Sequence, residues 1–306
     1  MFRNWRSKVD GKRLRIRWKR LIPVLAVAII VVAASIFTTY VVFHATPKVT
    51  LHTAGHSSIS SSQTSSENLK GEDSLSSEKL DTPLPDNEKI AFLTFDDGPS
   101  QYTPTLLNTL QQNGIKATFF VTFFGHDSET KRGWVRQEQE DGETIGEHSW
   151  THDYSYIYSS EQNFMSDFEN MNRILTEITG TAPVLFRFPG GVSNTVSLKY
   201  HNHIPIMPTL VQDVENKGMV PFDWTAGGED ASRNSPSSPQ QFCDEIMNDV
   251  GSQEHPIILM HDRIENSVNT VPLLIQQLRA KGYSFRTLSP SMPPIIDKPA
   301  IVHIKS

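Results

Sequence analysis

The sequence predicts a mainly parallel α/β domain over residues 88–290, either a barrel or a doubly wound sheet. Two observations carry that prediction. Short apolar runs alternate with longer amphipathic stretches from Glu88 to about Leu288. The polar residues capable of chemistry follow directly after the apolar runs, and parallel α/β domains gather their sites at the carboxyl ends of strands.

The elements follow in chain order. KIAFLTF (89–95) is a compact apolar strand, and TPTLLNTLQQNG (103–114) is an amphipathic helix closed by Gly114. KATFFVTFF (116–124) and ETIGEHS (143–149) read as the next two strands. EQNFMSDFENMNRILTEITG (161–180) is a long helix ending at Gly180, and VLFRF (184–188) is a strand. A helix around 207–217 leads to the strand MVPFDW (219–224). The helix SPQQFCDEIMNDV (238–250), the strand PIILMHD (256–262), the helix TVPLLIQQLRAKG (270–282) and the strand YSFRTL (283–288) complete the series. The Pro-rich tail, 291–306, reads only as extended or disordered.

Three segments precede this domain. Residues 1–20 carry nine Lys or Arg against one Asp, a local balance of +8, so the remaining residues sum to −14 within a formal net charge of −6. Residues 21–43, LIPVLAVAIIVVAASIFTTYVVF, hold no charged side chain. Such a run is long enough to span a hydrocarbon core of roughly 30 Å. With the cations on its amino side, it predicts a single-pass anchor with a cytoplasmic N-terminus and everything after Phe43 outside. The apolar run is longer than a signal-peptide core, and Phe43-His44-Ala45 is a poor cleavage site. Ten serines between Ser57 and Ser77 mark 44–87 as a flexible linker. Only the basic segment is built to meet anionic lipid, and the acidic remainder argues against nucleic acid. No protein partner is indicated. The single cysteine, Cys243, excludes an internal disulfide and a thiolate metal cluster, and its helical surroundings predict a buried thiol.

The strand ends hold the chemistry. In Thr94-Phe95-Asp96-Asp97-Gly98-Pro99-Ser100, Asp-Gly-Pro is turn chemistry, but two adjacent carboxylates repel and a bound cation would stabilise both. One could ligate a metal while the other stays free as a base. In His148-Ser149-Trp150-Thr151-His152, histidines at i and i+4 would project to one side of a helical turn, the spacing used to hold one metal ion. Two imidazoles and one carboxylate leave coordination positions open, the composition of a catalytic zinc site. Arg187-Phe188-Pro189-Gly190-Gly191 turns the chain with glycines that let backbone N–H groups approach a ligand, and its Arg can hold a carboxylate. Trp224, after Phe222-Asp223, offers a flat face to a sugar ring, with Glu229-Asp230 close behind. His261, in Leu259-Met260-His261-Asp262, becomes a candidate general acid beside a metal site.

Taken together and in this order, these segments resemble the five motifs of the polysaccharide deacetylases with a NodB-type domain, carbohydrate esterase family 4. The resemblance covers roughly residues 88–290. It implies an irregular (β/α) barrel and a metal-dependent hydrolysis of N-acetyl groups. Asp96 would be the base; Asp97, His148 and His152 the metal ligands; Arg187 the residue that orients Asp96; and His261 the general acid. The ion would be one divalent metal, usually zinc, with other metals serving some members. A backbone N–H near Gly190 would help hold the oxyanion, and Leu259 would line the acetyl pocket. Ala231 follows Asp230 where many members have a second Trp, which leaves both Asp223 and Asp230 as candidates to support His261. The extra His201 and His203 are assigned no role. With the anchor, the implied substrate is N-acetylglucosamine of peptidoglycan. N-acetylmuramic acid, a chitin-like or exported polysaccharide, and an O-acetylated glycan are alternatives of the same chemistry. A non-catalytic, membrane-tethered wall-binding protein is the alternative of another class, although such a protein would be expected to have lost one of the five acid and imidazole residues.

Overall fold

The computed structural model describes residues 88–299, together with a short antiparallel pairing of Lys8–Val9 with Lys12–Arg13. The expected anchor (21–43) and linker (44–87), the rest of the basic segment and residues 300–306 lie outside the described residues. Among the described residues no helix is long and apolar enough to cross a membrane.

The main strands are β1 (Ile90–Gly98), β2 (Thr118–Val121), β3 (Thr144–Glu147), β4 (Leu185–Phe186), β5 (Val220–Pro221), β6 (Ala226–Gly227), β7 (Ile257–His261) and β8 (Ser284–Phe285). All pair in parallel, in the order β5-β4-β3-β2-β1-β7-β6, with β8 also on β1. The two ends of this order are neighbours in sequence, joined only by residues 222–225. A flat sheet of that many strands would hold its edges about 29 Å apart. The connection reaches at most roughly 18 Å, so the sheet has to curl. No pairing joins β5 to β6 among the described residues. The architecture is thus an open half-barrel rather than a closed ring.

Because both faces of the curled sheet are covered, β1 is buried along its whole length. Its side chains divide by alternation. Ala91, Leu93 and Phe95 pack outward in a cluster with Leu106, Phe242 and Leu274 of the surrounding helices. Ile90 and Phe92 point the other way and join Phe120, Leu185, Phe222, Ile257 and Leu288 in a core to which, among the described residues, no helix contributes. Gly146 on β3 makes room for that inner core, since a Cβ there would sit 2.6 Å from the Phe120 ring. Two to four residues further along each of these strands, the same face turns polar. Phe92 leads to Thr94 and Asp96, Gly146 to His148, Leu185 to Arg187, and Ile257 to Leu259 and His261.

The helices are α1 (Thr103–Gln112), α2 (Glu129–Glu140), α3 (Tyr154–Ile157), α4 (Glu161–Thr179), α5 (Val196–Tyr200), α6 (Met207–Asn216), α7 (Pro239–Val250) and α8 (Glu265–Ala280). Serine caps start three of them: Ser128, Ser160 and Ser238 accept from the N–H groups of Lys131, Asn163 and Gln241. Gly180 ends α4 in the left-handed conformation. Cys243 is buried in α7, and burial pushes its thiol up to about 11, as an inert side chain requires. The tail turns at Ser291 and Met292 and then packs against the domain. Ile295 pairs with Phe222, and the Asp223 N–H donates to the Ile295 carbonyl at 2.7 Å. The tail thereby covers the open edge beside β5.

Gly227 provides a test of the close approach of β6 to β7. It has φ +78°, and a Cβ there would lie 2.5 Å from the Leu259 carbonyl oxygen, whereas Gly180 has a positive φ but open space around it. Gly180→Ala is expected to cost about 1–2 kcal/mol, and Gly227→Ala about 2–5 kcal/mol, in urea unfolding. Equal costs would show that β6 is not held against β7 as described.

Candidate active site

Asp96 and Asp97 both reach the site because β1 breaks its ladder between them. Asp96 pairs with Phe120 and Gly98 with Val121, so Asp97 is an extra residue, and its φ is +69°. This bulge turns two neighbouring carboxylates toward the same end of the barrel. Gly98 has a different reason to be glycine. A Cβ there would run into the carboxyl of Asp262, which is buried, accepts from Thr103 Oγ1 at 2.5 Å and is pushed up to about 7 by burial.

The histidine segment does not form the helical turn that its spacing predicts. It is a loop with Ser149 at φ +65° and His152 at φ +53°. Asp167 on α4 organises it by accepting from the N–H groups of Trp150 and Thr151 at 2.6 and 3.0 Å and from Thr151 Oγ1 at 2.6 Å. The loop brings both imidazoles to Asp97 even so. Asp97 Oδ1 lies 3.7 Å from His148 Nε2 and 3.4 Å from His152 Nε2.

These three residues offer ligand atoms within 4.8 Å of one another, and three features fit a metal ion. Asp97 Oδ1 is buried without a hydrogen-bond partner among the described residues, which costs about 1–3 kcal/mol or more unless a cation meets it. His148 Nδ1 lies 2.8 Å from the Arg187 carbonyl oxygen, to which it can only donate, and this leaves the Nε2 lone pair facing the two carboxylates, 3.6 Å from Asp96 Oδ2 and 3.7 Å from Asp97 Oδ1. Burial, followed by the neighbouring His148, pushes His152 down to about 4, so it is a neutral imidazole. Burial alone would raise Asp97, but His152, His148, His261 and Arg263 outweigh it and hold the carboxyl below its usual range. His201 and His203, on a separate loop, are not in this group.

Arg187 reaches Asp96 from the other side and is fully buried. Its Nη1 donates to Asp96 Oδ1 at 2.9 Å and to Thr94 Oγ1 at 2.7 Å. Its Nε and Nη2 donate to the carbonyls of Phe222 and Asp223. Phe120 lies beneath the guanidinium, with 4.2 Å to its ring centroid. Four anchors define one orientation for the Arg, and therefore one for the carboxylate it holds.

Of the two candidate acids, Asp223 and Asp230, it is Asp230 that contacts His261. Its Oδ1 lies 2.9 Å from His261 Nδ1, and its Oδ2 accepts from the His261 N–H at 2.9 Å and from Ser267 Oγ. His261 Nε2 is left facing the site, 4.0 Å from Asp97 Oδ2. Burial lowers the affinity of His261 for its proton, but the hydrogen bond and charge of Asp230, then Asp97 and Asp96, outweigh burial and raise its pKa. Asp223 does other work. It accepts from the N–H groups of Val192 and Asp297 and ties the Gly190–Gly191 loop to the tail.

Trp224 is half-buried between that loop and Gly228. A Cβ on Gly191 or Gly228 would sit 3.1 Å from the Trp224 ring or 3.2 Å from its Nε1. Leu259 packs at the same place, 3.1 Å from a Cβ built on Gly228. Gly190 is exposed with φ +78°, and its N–H makes no hydrogen bond among the described residues. Sequence reasoning missed three residues at the mouth. Tyr154 and Phe124 stand 5.2 and 5.4 Å from the His152 ring, and Arg263 Nε donates to Asp97 Oδ2 at 2.7 Å. The only signal for them was closeness in sequence to the motifs.

With this geometry in view, the family model for polysaccharide deacetylase matches residues 84–208. The chain is 32% identical over 204 residues to a peptidoglycan-N-acetylglucosamine deacetylase of Bacillus cereus, a match covering 64% of this chain and 68% of that protein. It is 28% identical over 203 residues to a chitin deacetylase of Colletotrichum lindemuthianum, covering 63% of this chain and 75% of that protein. Among solved structures it resembles the catalytic domain of a peptidoglycan N-acetylglucosamine deacetylase from Eubacterium rectale. The TM-score is 0.65 at 40% identity, covering 70% of this chain and 95% of that one.

Arg187→Met would leave Asp96 as an unpaired buried carboxylate. It is expected to cost about 3–5 kcal/mol in urea unfolding. A cost below about 1 kcal/mol would show that the pair is not buried as described.

Proposed function

The chain belongs to the polysaccharide deacetylase family, and from that premise we propose that it hydrolyses the N-acetyl group of N-acetylglucosamine in peptidoglycan. The observation that supports this reading most is the grouping of Asp97, His148 and His152 beside a second carboxylate and an acid-supported imidazole. A divalent ion held by those three residues, zinc in our reading, supplies a Lewis acid for the acetyl carbonyl and for the attacking water. Asp96, held by Arg187 through Oδ1, keeps Oδ2 free to take the proton of that water. The N–H of Gly190 is the backbone donor we assign to the developing oxyanion. Leu259 and Trp224 form the wall for the acetyl methyl group. His261 then gives its Nε2 proton to the nitrogen as the C–N bond breaks, because the amine is too basic to depart as an anion.

The cellular setting belongs to the same proposal. Residues 1–20 would lie inside, 21–43 would cross the membrane, and 44–87 would tether the catalytic head to a polymer just outside it. The Bacillus cereus and Eubacterium rectale relatives support peptidoglycan as that polymer.

Acetate release from purified peptidoglycan, with and without a chelator and added Zn²⁺, tests the reading. Release that a chelator abolishes and Zn²⁺ restores is expected, whereas release from a chitin oligosaccharide alone would reassign the substrate. Asp96→Asn should keep metal affinity and lose about 10²-fold or more in kcat, while His148→Ala should lose metal affinity together with activity. An Asp96→Asn enzyme of full activity would remove Asp96 from the scheme. The general acid works only while protonated, so activity should fall as pH rises through the raised pKa of His261. Asp230→Asn removes the chief cause of that rise and should move the alkaline limb to lower pH. An unmoved limb would mean that another group sets it.

A further inference from the structure

Arg263 follows His261-Asp262 and stands at the mouth of the site. Its Nε donates to Asp97 Oδ2, yet its side chain is 46% exposed and its two Nη groups make no hydrogen bond among the described residues. The guanidinium lies 5.8 Å from the Phe124 ring centroid, and Phe124 is itself 42% exposed against His152. The fork is therefore pinned along one edge and backed by an aromatic face, with its other edge turned to solvent. Steadying Asp97 requires only the Nε contact. The open edge is the part that pairs bidentately with a carboxylate. Because the guanidinium is already oriented, less side-chain freedom is lost when a ligand arrives. The other cation beside the Phe124 ring, Lys131, already donates its Nζ to the Phe123 carbonyl at 2.8 Å.

Resting on the deacetylase reading above, we propose that Arg263 determines specificity. Its open edge binds a carboxylate on the sugar next to the acetylated one, and anionic glycans are thereby taken in preference to neutral ones. The short reach from Asp97 confines that carboxylate to the reacting sugar's immediate neighbour. The carboxylate can come from the lactyl ether or peptide stem of peptidoglycan, or from a uronic acid in an exported polysaccharide.

The test compares kcat/KM for acetate release by the full chain and by Arg263→Gln and Arg263→Lys at saturating Zn²⁺. The substrates are neutral N-acetylglucosamine tetramer, a stem-peptide-bearing muropeptide oligomer, and a hyaluronan oligosaccharide in which uronic acids flank N-acetylglucosamine. The native chain should prefer a carboxylate-bearing substrate. Arg263→Gln should lower that preference tenfold or more, mainly through KM, and Arg263→Lys should restore part of it. Loss of preference for the muropeptide alone would name peptidoglycan as the source, and loss for both would admit any neighbouring carboxylate. An equal fall on all three substrates would overturn the proposal, leaving Arg263 as a prop for Asp97. A native chain without preference would also overturn it while leaving the deacetylase reading intact. No release from any of the three substrates would sink that reading, and this one with it.

Discussion

Side chains of a regular strand point alternately to opposite faces, so adjacent residues cannot both serve a site on one face. Asp96 and Asp97 do so because β1 inserts Asp97 as a bulge in the left-handed region, at a cost of about 1–2 kcal/mol. The rest of the site is arranged around that irregularity. Arg187 holds Asp96 from the inner core, and the two imidazoles and Arg263 approach Asp97 from the loops. Without the bulge, Asp97 would face the outer core, where Leu93 and Phe95 pack, as an uncompensated charge. The bulge allows two chemically identical side chains to receive different partners and so different work.

The curl of the sheet supplies the remaining geometry. Since residues 222–225 join strands at opposite edges of the sheet, the strand ends converge on one mouth. Three strands repeat one plan in their own residues: an apolar side chain in the inner core, and a polar one two or four positions later, on the same face, at the mouth. Phe92 and Asp96, Leu185 and Arg187, and Ile257 and His261 are such sets. The apolar members hold the strands at fixed distances, so the polar members arrive already oriented. The fully buried Arg187 shows how closely the two levels are joined. It sits over Phe120 of the inner core while holding Asp96 at the mouth.

Much of this was legible in the sequence because strand ends and period-two alternation leave marks in residue order. The segments carrying Asp96, His148, Arg187 and His261 were all placed at strand ends, where the structure has them. What escaped depends on backbone conformation or on distant partners. Nothing in Asp96-Asp97 announces a positive φ, and the spacing of His148 and His152 suggested a helical turn where the structure has a loop held by Asp167. Helix α2 buries little besides Val135 and Glu138, too few positions for an apolar period to register. The last helix was read from Thr270, whereas α8 begins at Glu265 and carries Pro272 inside. The choice between Asp223 and Asp230 turned on Ser267 and on the tail, both far away in sequence.

The division of labour between the paired acids is the centre of the account, and anomalous diffraction from a zinc-loaded crystal tests it most directly. The expected map has one ion roughly 2.0–2.2 Å from Asp97 Oδ1, His148 Nε2 and His152 Nε2, with Asp96 outside the coordination sphere. An ion ligated by Asp96, or bound away from these three residues, would contradict it.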